Sequence, residues 1–163
     1  MNPISDKIEV QDNFEIEKYM GKWYEIARSK NIPLENGNFV YEAYMLEPDG
    51  KIKVEASQTI EGKEQKIHQL AFVDKNLPSV WRVKLIDSFF LRMFKFDYKV
   101  VETDYTTYSI VYSKNRYMWF FTKEMAWILC RNPHIDKNNL DQLYAKLEEK
   151  TGMPKENMRE TLQ

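Results

Sequence analysis

Between Lys51 and Ile60 the chain alternates without a break. Ile52, Val54, Ala56, Gln58 and Ile60 share one parity, and Lys51, Lys53, Glu55, Ser57 and Thr59 share the other. A period of two residues means a strand with one face to an interior and one to water. Further strands are predicted over 21–30, 39–47, 64–74, 80–86, 98–103, 107–113 and 125–131, eight in all. Turn chemistry separates them: Asn36-Gly37-Asn38, Pro48-Asp49-Gly50, Glu61-Gly62 and Lys75-Asn76-Leu77-Pro78. No helix-length crossover lies between consecutive strands, so the sheet is expected to be antiparallel.

After Pro133 the period changes. Leu140, Leu143, Tyr144 and Leu147 recur at helical spacing, Asp136 is placed to cap the start, and Gly152 and Pro154 mark the stop. The reading is one amphipathic helix over 137–151, with its apolar stripe against the outside of the sheet. Residues 1–20 are mostly polar, with Phe14, Ile16 and Tyr19 as anchors. Eight antiparallel strands permit a sandwich or an up-and-down barrel. The meander order and short connections favour the barrel, whose interior holds side chains or one small ligand. The expected fold is all-β: a single domain over 1–163, an eight-stranded antiparallel barrel over 21–131 and a C-terminal helix packed outside.

Composition narrows the function. The 163 residues carry 24 Lys and Arg against 25 Asp and Glu, a net charge of −1. That balance lacks the basic footprint of a nucleic-acid partner. One cysteine, Cys130, excludes an intrachain disulfide and a paired-cysteine zinc site. The two histidines, His68 and His134, belong to no metal-ligand spacing. No phosphate-binding glycine loop or nucleophile elbow occurs, so no metal, cofactor or catalytic residue is expected. The longest uncharged run is nine residues, Tyr105–Ser113, where a membrane-spanning helix needs about 20. The segment Met1–Lys7 has no apolar run and no lipobox cysteine. As it stands the chain reads as cytoplasmic; removal of a leader would make it secreted, periplasmic or membrane-associated.

Three short motifs then carry a resemblance. Gly21-Lys22-Trp23-Tyr24-Glu25-Ile26-Ala27 resembles the first lipocalin motif, built on Gly-x-Trp. Thr103-Asp104-Tyr105 resembles the second, and Arg131, after Ala126-Trp127-Ile128-Leu129-Cys130, the third. They occur in order, at the matching strand ends, and a helix follows. The chain is similar to the lipocalins over residues 11–160, with most likeness to the apolipoprotein D and bacterial lipocalin branch. The resemblance implies that Trp23 plugs one end of the barrel under the Arg131 guanidinium, that Gly21 permits close approach there, and that Thr103, Asp104 and Tyr105 shape the adjoining turn.

With Trp23 inward, strand parity places Glu25 and Ala27 on the inner face, together with Val54 and Ala56. The resemblance adds Tyr44, Gln69, Ala71, Val83, Leu85, Tyr98, Val100, Ser109, Val111, Met125 and Trp127. This apolar lining with a few hydroxyls and amides has the composition of a small-molecule pocket. Glu42 also falls on the inner parity. Glu25 and Glu42 either pair with an Arg or Tyr, bind a ligand head group, or sit at a wet rim. Cys130, beside inward Leu129, is expected to point outward and stay inert.

The expected function is binding and transport of a small hydrophobic ligand: a fatty acid, a lysophospholipid or a similar lipid. No enzyme activity is expected. The alternatives are a lipid or isoprenoid isomerase, and a membrane-associated stress protein acting at the bilayer. The connections opposite Trp23 carry Phe89, Phe90, Trp119 and Phe120 with basic neighbours. They read as a lid, a dimer face, or a peripheral membrane contact. The chain is accordingly expected as a monomer or homodimer.

Overall fold

A computed structural model describes residues 8–30, 32–117 and 121–163. A four-residue helix, α1 (Ile16–Tyr19), precedes eight barrel strands: β1 (Gly21–Ser29), β2 (Asn38–Leu46), β3 (Ile52–Ile60), β4 (Lys63–Val73), β5 (Val80–Leu85), β6 (Lys95–Thr103), β7 (Tyr108–Tyr117) and β8 (Phe121–Cys130). Each strand pairs antiparallel with the next, and β1 pairs with both β2 and β8, so the sheet closes on itself. Helix α2 (Lys137–Thr151) follows, and then a short strand, β9 (Met158–Glu160).

The helix has the predicted bounds because its signals are local. The Asp136 side chain accepts from the Asn139 N–H at 2.9 Å, and Gly152 adopts φ +76 while its N–H bonds the Glu148 carbonyl. Leu140, Leu143, Tyr144 and Leu147 are buried against Ile110, Tyr112, Ala126, Ile128 and Cys130 on the outer barrel face. Strand β8 is therefore buried on both sides from Met125 to Cys130.

Three features differ from expectation. Strands β6, β7 and β8 extend farther from the plug than hydropathy predicts, because Lys114, Arg116, Lys123 and Glu124 make the outer half of the β7–β8 hairpin polar. Strand β9 is too short to show a period. It forms where β1 and β2 diverge: they pair only from Gly21–Tyr24 to Tyr44–Tyr41, and β9 takes the free edge of Ala27–Ser29. The Thr161 N–H then bonds the Ile26 carbonyl at 2.9 Å and the Phe39 N–H bonds the Leu162 carbonyl at 2.7 Å. Residues 158–162 thus bridge the gap between the first two strands.

The third difference is a bulge in β1. Glu25 faces Leu129, but Ala27 faces Ile128, so β1 carries one extra residue against β8. Beyond it the parity is reversed. Ala27, expected in the cup, instead packs in the helix-side cluster with Ile26 and Ile128. Arg28 takes the inner face opposite Trp127.

Candidate ligand-binding cavity

The plug end is built on Arg131. Its guanidinium lies 3.8 Å from the centre of the Trp23 ring and donates to the carbonyls of Lys18, Tyr19, Met20, Lys22 and Tyr105. Trp23 is fully buried, and its indole N–H bonds the Tyr19 carbonyl at 2.8 Å. Gly21 has φ +96, and a Cβ there would sit 3.4 Å from Arg131 Nη1. Asp104 accepts from the N–H groups of Thr106, Thr107 and Tyr108, while the Thr103 hydroxyl donates to the Tyr108 carbonyl and accepts from the Tyr105 N–H. These residues close the barrel and stand apart from its cavity.

Above the plug the interior is solid. Phe14, Tyr19, Tyr44, Trp81 and Tyr98 fill it, and Trp81 stacks on Tyr98 with ring centres 4.8 Å apart. A line of hydroxyls crosses this layer: Ser109 to Tyr19 at 2.9 Å, Tyr19 to Tyr98 at 2.8 Å and Tyr98 to Tyr44 at 2.9 Å. The Tyr44 hydroxyl donates to the Glu42 carboxyl. Burial pushes the three phenols up, so they remain hydrogen-bond donors.

Beyond that layer lies a cavity of about 290 Å³. Ala56, Gln69, Leu85, Met125 and Trp127, expected in the cup, line it. Tyr44, Val54, Ala71, Val83, Tyr98, Val100 and Val111 lie in the packed layer instead, and Ser109 is bonded beneath it. Large side chains from β5 and α1, Trp81 and Tyr19, fill the space that small residues were expected to leave. Pattern reading missed the contributions of Ile32, Leu34 and Glu35, which come from an aperiodic loop, and of Phe94 and Phe121 at the rim. Val40 and Ile67 were readable, since each continues its strand's inner parity.

The polar residues that border this cavity are Glu25, Glu35 and Glu42 together with Ser57, Gln58, Gln69, Lys95 and Lys123. Glu25 is fully buried and bound to Arg28 at 2.5 Å, with the Thr161 hydroxyl donating to the same oxygen at 2.5 Å. Arg28 also donates to the Gly37 carbonyl at 3.0 Å. Burial pushes the Glu42 carboxyl up to about 7; the Tyr44 bond opposes this, and the charge of Glu25 adds to it. Burial, with Glu25 and Glu42 nearby, holds Glu35 well above the usual carboxylate range, although the Trp127 indole donates to it at 2.9 Å. Of the three alternatives open for the inner carboxylates, the structure has the pairing, Glu25 with Arg28 and Glu42 with Tyr44, and neither sits at a wet rim.

Outside the barrel, Cys130 faces α2, and burial pushes its thiol up to about 12. Phe89 and Phe90 stand out at the cavity end, 76% and 77% exposed, so neither folds over the mouth as a lid. Trp119 and Phe120 lie outside the described residues.

Residues 14–163 match the family described as a lipocalin-like domain. The chain belongs to the lipocalin family. The lipocalin is 34% identical to apolipoprotein D of Rattus norvegicus over 134 residues, which is 82% of this chain and 69% of that one. It is 26% identical to the outer membrane lipoprotein Blc of Vibrio cholerae, over 92% of this chain and 80% of that one. Among solved structures, insecticyanin of the tobacco hornworm Manduca sexta matches with a TM-score of 0.77 and 15% identity, over 95% of this chain and 84% of that one. Lobster apocrustacyanin A1 matches with a TM-score of 0.74 and 17% identity, over 90% and 78%. Both share the closed antiparallel barrel.

Proposed function

We propose that this lipocalin binds and carries one small hydrophobic molecule in the cavity above the Tyr44–Tyr98 layer. The cavity itself carries the reading: about 290 Å³, walled by Ile32, Val40, Leu85, Phe96, Met125 and Trp127. A water's share of liquid is about 30 Å³, and a methylene is close to that size. The space therefore suits a single alkyl chain of medium length, the apolar part of the fatty acids and lysophospholipids that the resemblance implies. Affinity would come mainly from apolar burial, about 25 cal/mol per Å², less the cost of immobilisation. The reading is of a carrier rather than a catalyst. The chain's one thiol, Cys130, lies on the helix side of β8, away from the cavity.

Native mass spectrometry of the purified protein, with organic extraction of what it releases, tests the proposal. A retained alkyl compound is expected. Ala56→Trp, which fills the cavity, should weaken binding of an alkyl probe by more than about tenfold. If no alkyl compound in a panel binds, the carrier reading is wrong.

The rim supports a second proposal, of contact with a lipid surface. Phe89, Phe90 and Met93 are each more than three-quarters exposed, and Arg92 lies among them. Exposed aromatics beside a basic residue suit insertion at a membrane interface.

A further inference from the structure

Leu34, Phe94 and Phe121 are wall and surface at once. Each borders the cavity, and each is between 44% and 53% exposed. Leu34 lies in the loop after β1, Phe94 immediately precedes β6, and Phe121 opens β8. All three stand at the end of the barrel opposite Trp23. Phe94 directly follows Met93, so the apolar lining leaves the cavity and continues onto the loop that presents Met93, Phe90 and Phe89.

That loop, between β5 and β6, is anchored through its polar groups. The Ile86 N–H bonds the His68 carbonyl at 3.0 Å. Asp87 accepts from the His68 N–H at 2.7 Å, and its other oxygen lies 2.8 Å from the His68 ring Nδ1. The Ser88 hydroxyl accepts from the Leu91 N–H at 3.1 Å, and the Ser88 carbonyl from the Arg92 N–H at 3.0 Å. Phe89 and Phe90 meet edge to face with ring centres 6.0 Å apart. The two rings are thus held out by a structured turn. Four cations stand at this end: Arg92 in the loop, and Lys95, Arg116 and Lys123 on the outer parts of β6, β7 and β8. Nearby acids are engaged, Asp87 by His68, Asp97 by Arg82 and Glu124 by Lys114.

We infer that this lipocalin exchanges its ligand by contact with an anionic lipid surface, on which the Phe89–Met93 loop seats, the alkyl chain passing over Phe94, Phe121 and Leu34 rather than through water. The inference rests on the cavity being the ligand site and on the rim meeting lipid. Each methylene brought into water is disfavoured about fourfold, and with the loop seated the apolar mouth opens into the bilayer interface instead. A second copy of the chain does not suit this surface. A two-fold contact sets a patch against itself, and Arg92, Lys95, Arg116 and Lys123 would face their own equivalents. An anionic bilayer meets the same charges with the opposite sign, and its interface takes up aromatic rings.

Stopped-flow transfer of parinaric acid, a fluorescent single-chain fatty acid, from the loaded protein to vesicles carrying an energy-accepting lipid tests this. The rate should rise with vesicle concentration. At low salt it should be at least about tenfold higher with phosphatidylglycerol in the vesicles than with phosphatidylcholine alone. Phe89→Ser/Phe90→Ser should lose the dependence on vesicle concentration, yet bind parinaric acid within about twofold of the parent, since neither ring borders the cavity. A parent rate independent of vesicle concentration means release through water; it overturns contact exchange and leaves the carrier reading standing. A vesicle-dependent rate that the double variant keeps also overturns it. Absence of binding to parinaric acid and to the alkyl panel alike defeats the cavity reading, and contact exchange with it.

Discussion

Arg28 meets Glu25 on the inner face of β1, three residues along the strand, with 2.5 Å between Nη1 and Oε1. In a regular strand, positions three apart point to opposite faces. The bulge before Ala27 turns them to the same side. The pair is shut away from water, at 1% and 0% side-chain exposure, so its energetics are those of a buried ion pair. Arg28→Gln leaves a buried carboxylate without its counter-charge. The expected loss is about 3–5 kcal/mol, measured by urea unfolding. Adding Glu25→Gln should restore more than half of it, because the lone charge is then gone.

Glu42 makes stability depend on pH. Its carboxyl is held at about 7, against an ordinary value of 4.5. Over that interval the folded protein keeps a proton that the unfolded chain has released. Stability should therefore fall as pH rises from about 4.5 through about 7, by an amount on the order of 3 kcal/mol. Glu42→Gln should flatten this slope and be the more stable protein at alkaline pH. Urea midpoints for both proteins at about pH 5 and about pH 8 would decide it; parallel slopes would remove Glu42 as the cause.

Arg131 separates closure from binding. Lysine cannot reproduce the guanidinium fork that reaches five carbonyls, nor its flat contact with Trp23. Arg131→Lys should cost about 2–4 kcal/mol in thermal or urea unfolding. Affinity for an alkyl probe should stay within about twofold of the parent protein. A selective loss of affinity at unchanged stability would place Arg131 in the ligand site.

Phe89 and Phe90 make few contacts that folding needs. Phe89→Ser/Phe90→Ser should leave the unfolding midpoint within about 0.5 kcal/mol of the parent. Co-sedimentation with anionic vesicles should fall sharply in the same variant. A parent protein that stays in the supernatant, whatever the lipid, ends the membrane proposal. A mass that rises with concentration and is lost in the variant assigns the two rings to a dimer face.

Much of this architecture was legible in residue order. Strand β3 and helix α2 declare themselves because their periods are long and their caps are local. The plug was legible through the resemblance of Gly21, Trp23 and Arg131 to the lipocalin motifs, and the structure supplies the reason for those types: close approach, ring burial and carbonyl reach. The cup was only half legible. Parity says which residues face inward, but not how far up the barrel the packing runs, and that depth is set by the volumes of Tyr19, Trp81 and Tyr98 acting together. Ala27 and Arg28 exchanged faces because one extra residue reverses parity, and nothing in Glu25-Ile26-Ala27 announces a bulge. Glu35 lies in a loop without a period, and its closeness to Trp127 is a product of tertiary folding.

The bridge made by residues 158–162 bears on how this barrel assembles. Thr161 lies 136 residues from Glu25, whose carboxylate its hydroxyl engages. Contacts of such sequence separation form late and slow folding. Until they form, the upper parts of β1 and β2 present unpaired backbone edges on either side of an open seam, the kind of template on which a second chain can add a strand. The strip that bridges β1 and β2 is made after all eight barrel strands. The interval before it docks is when the protein is most exposed to strand exchange and aggregation.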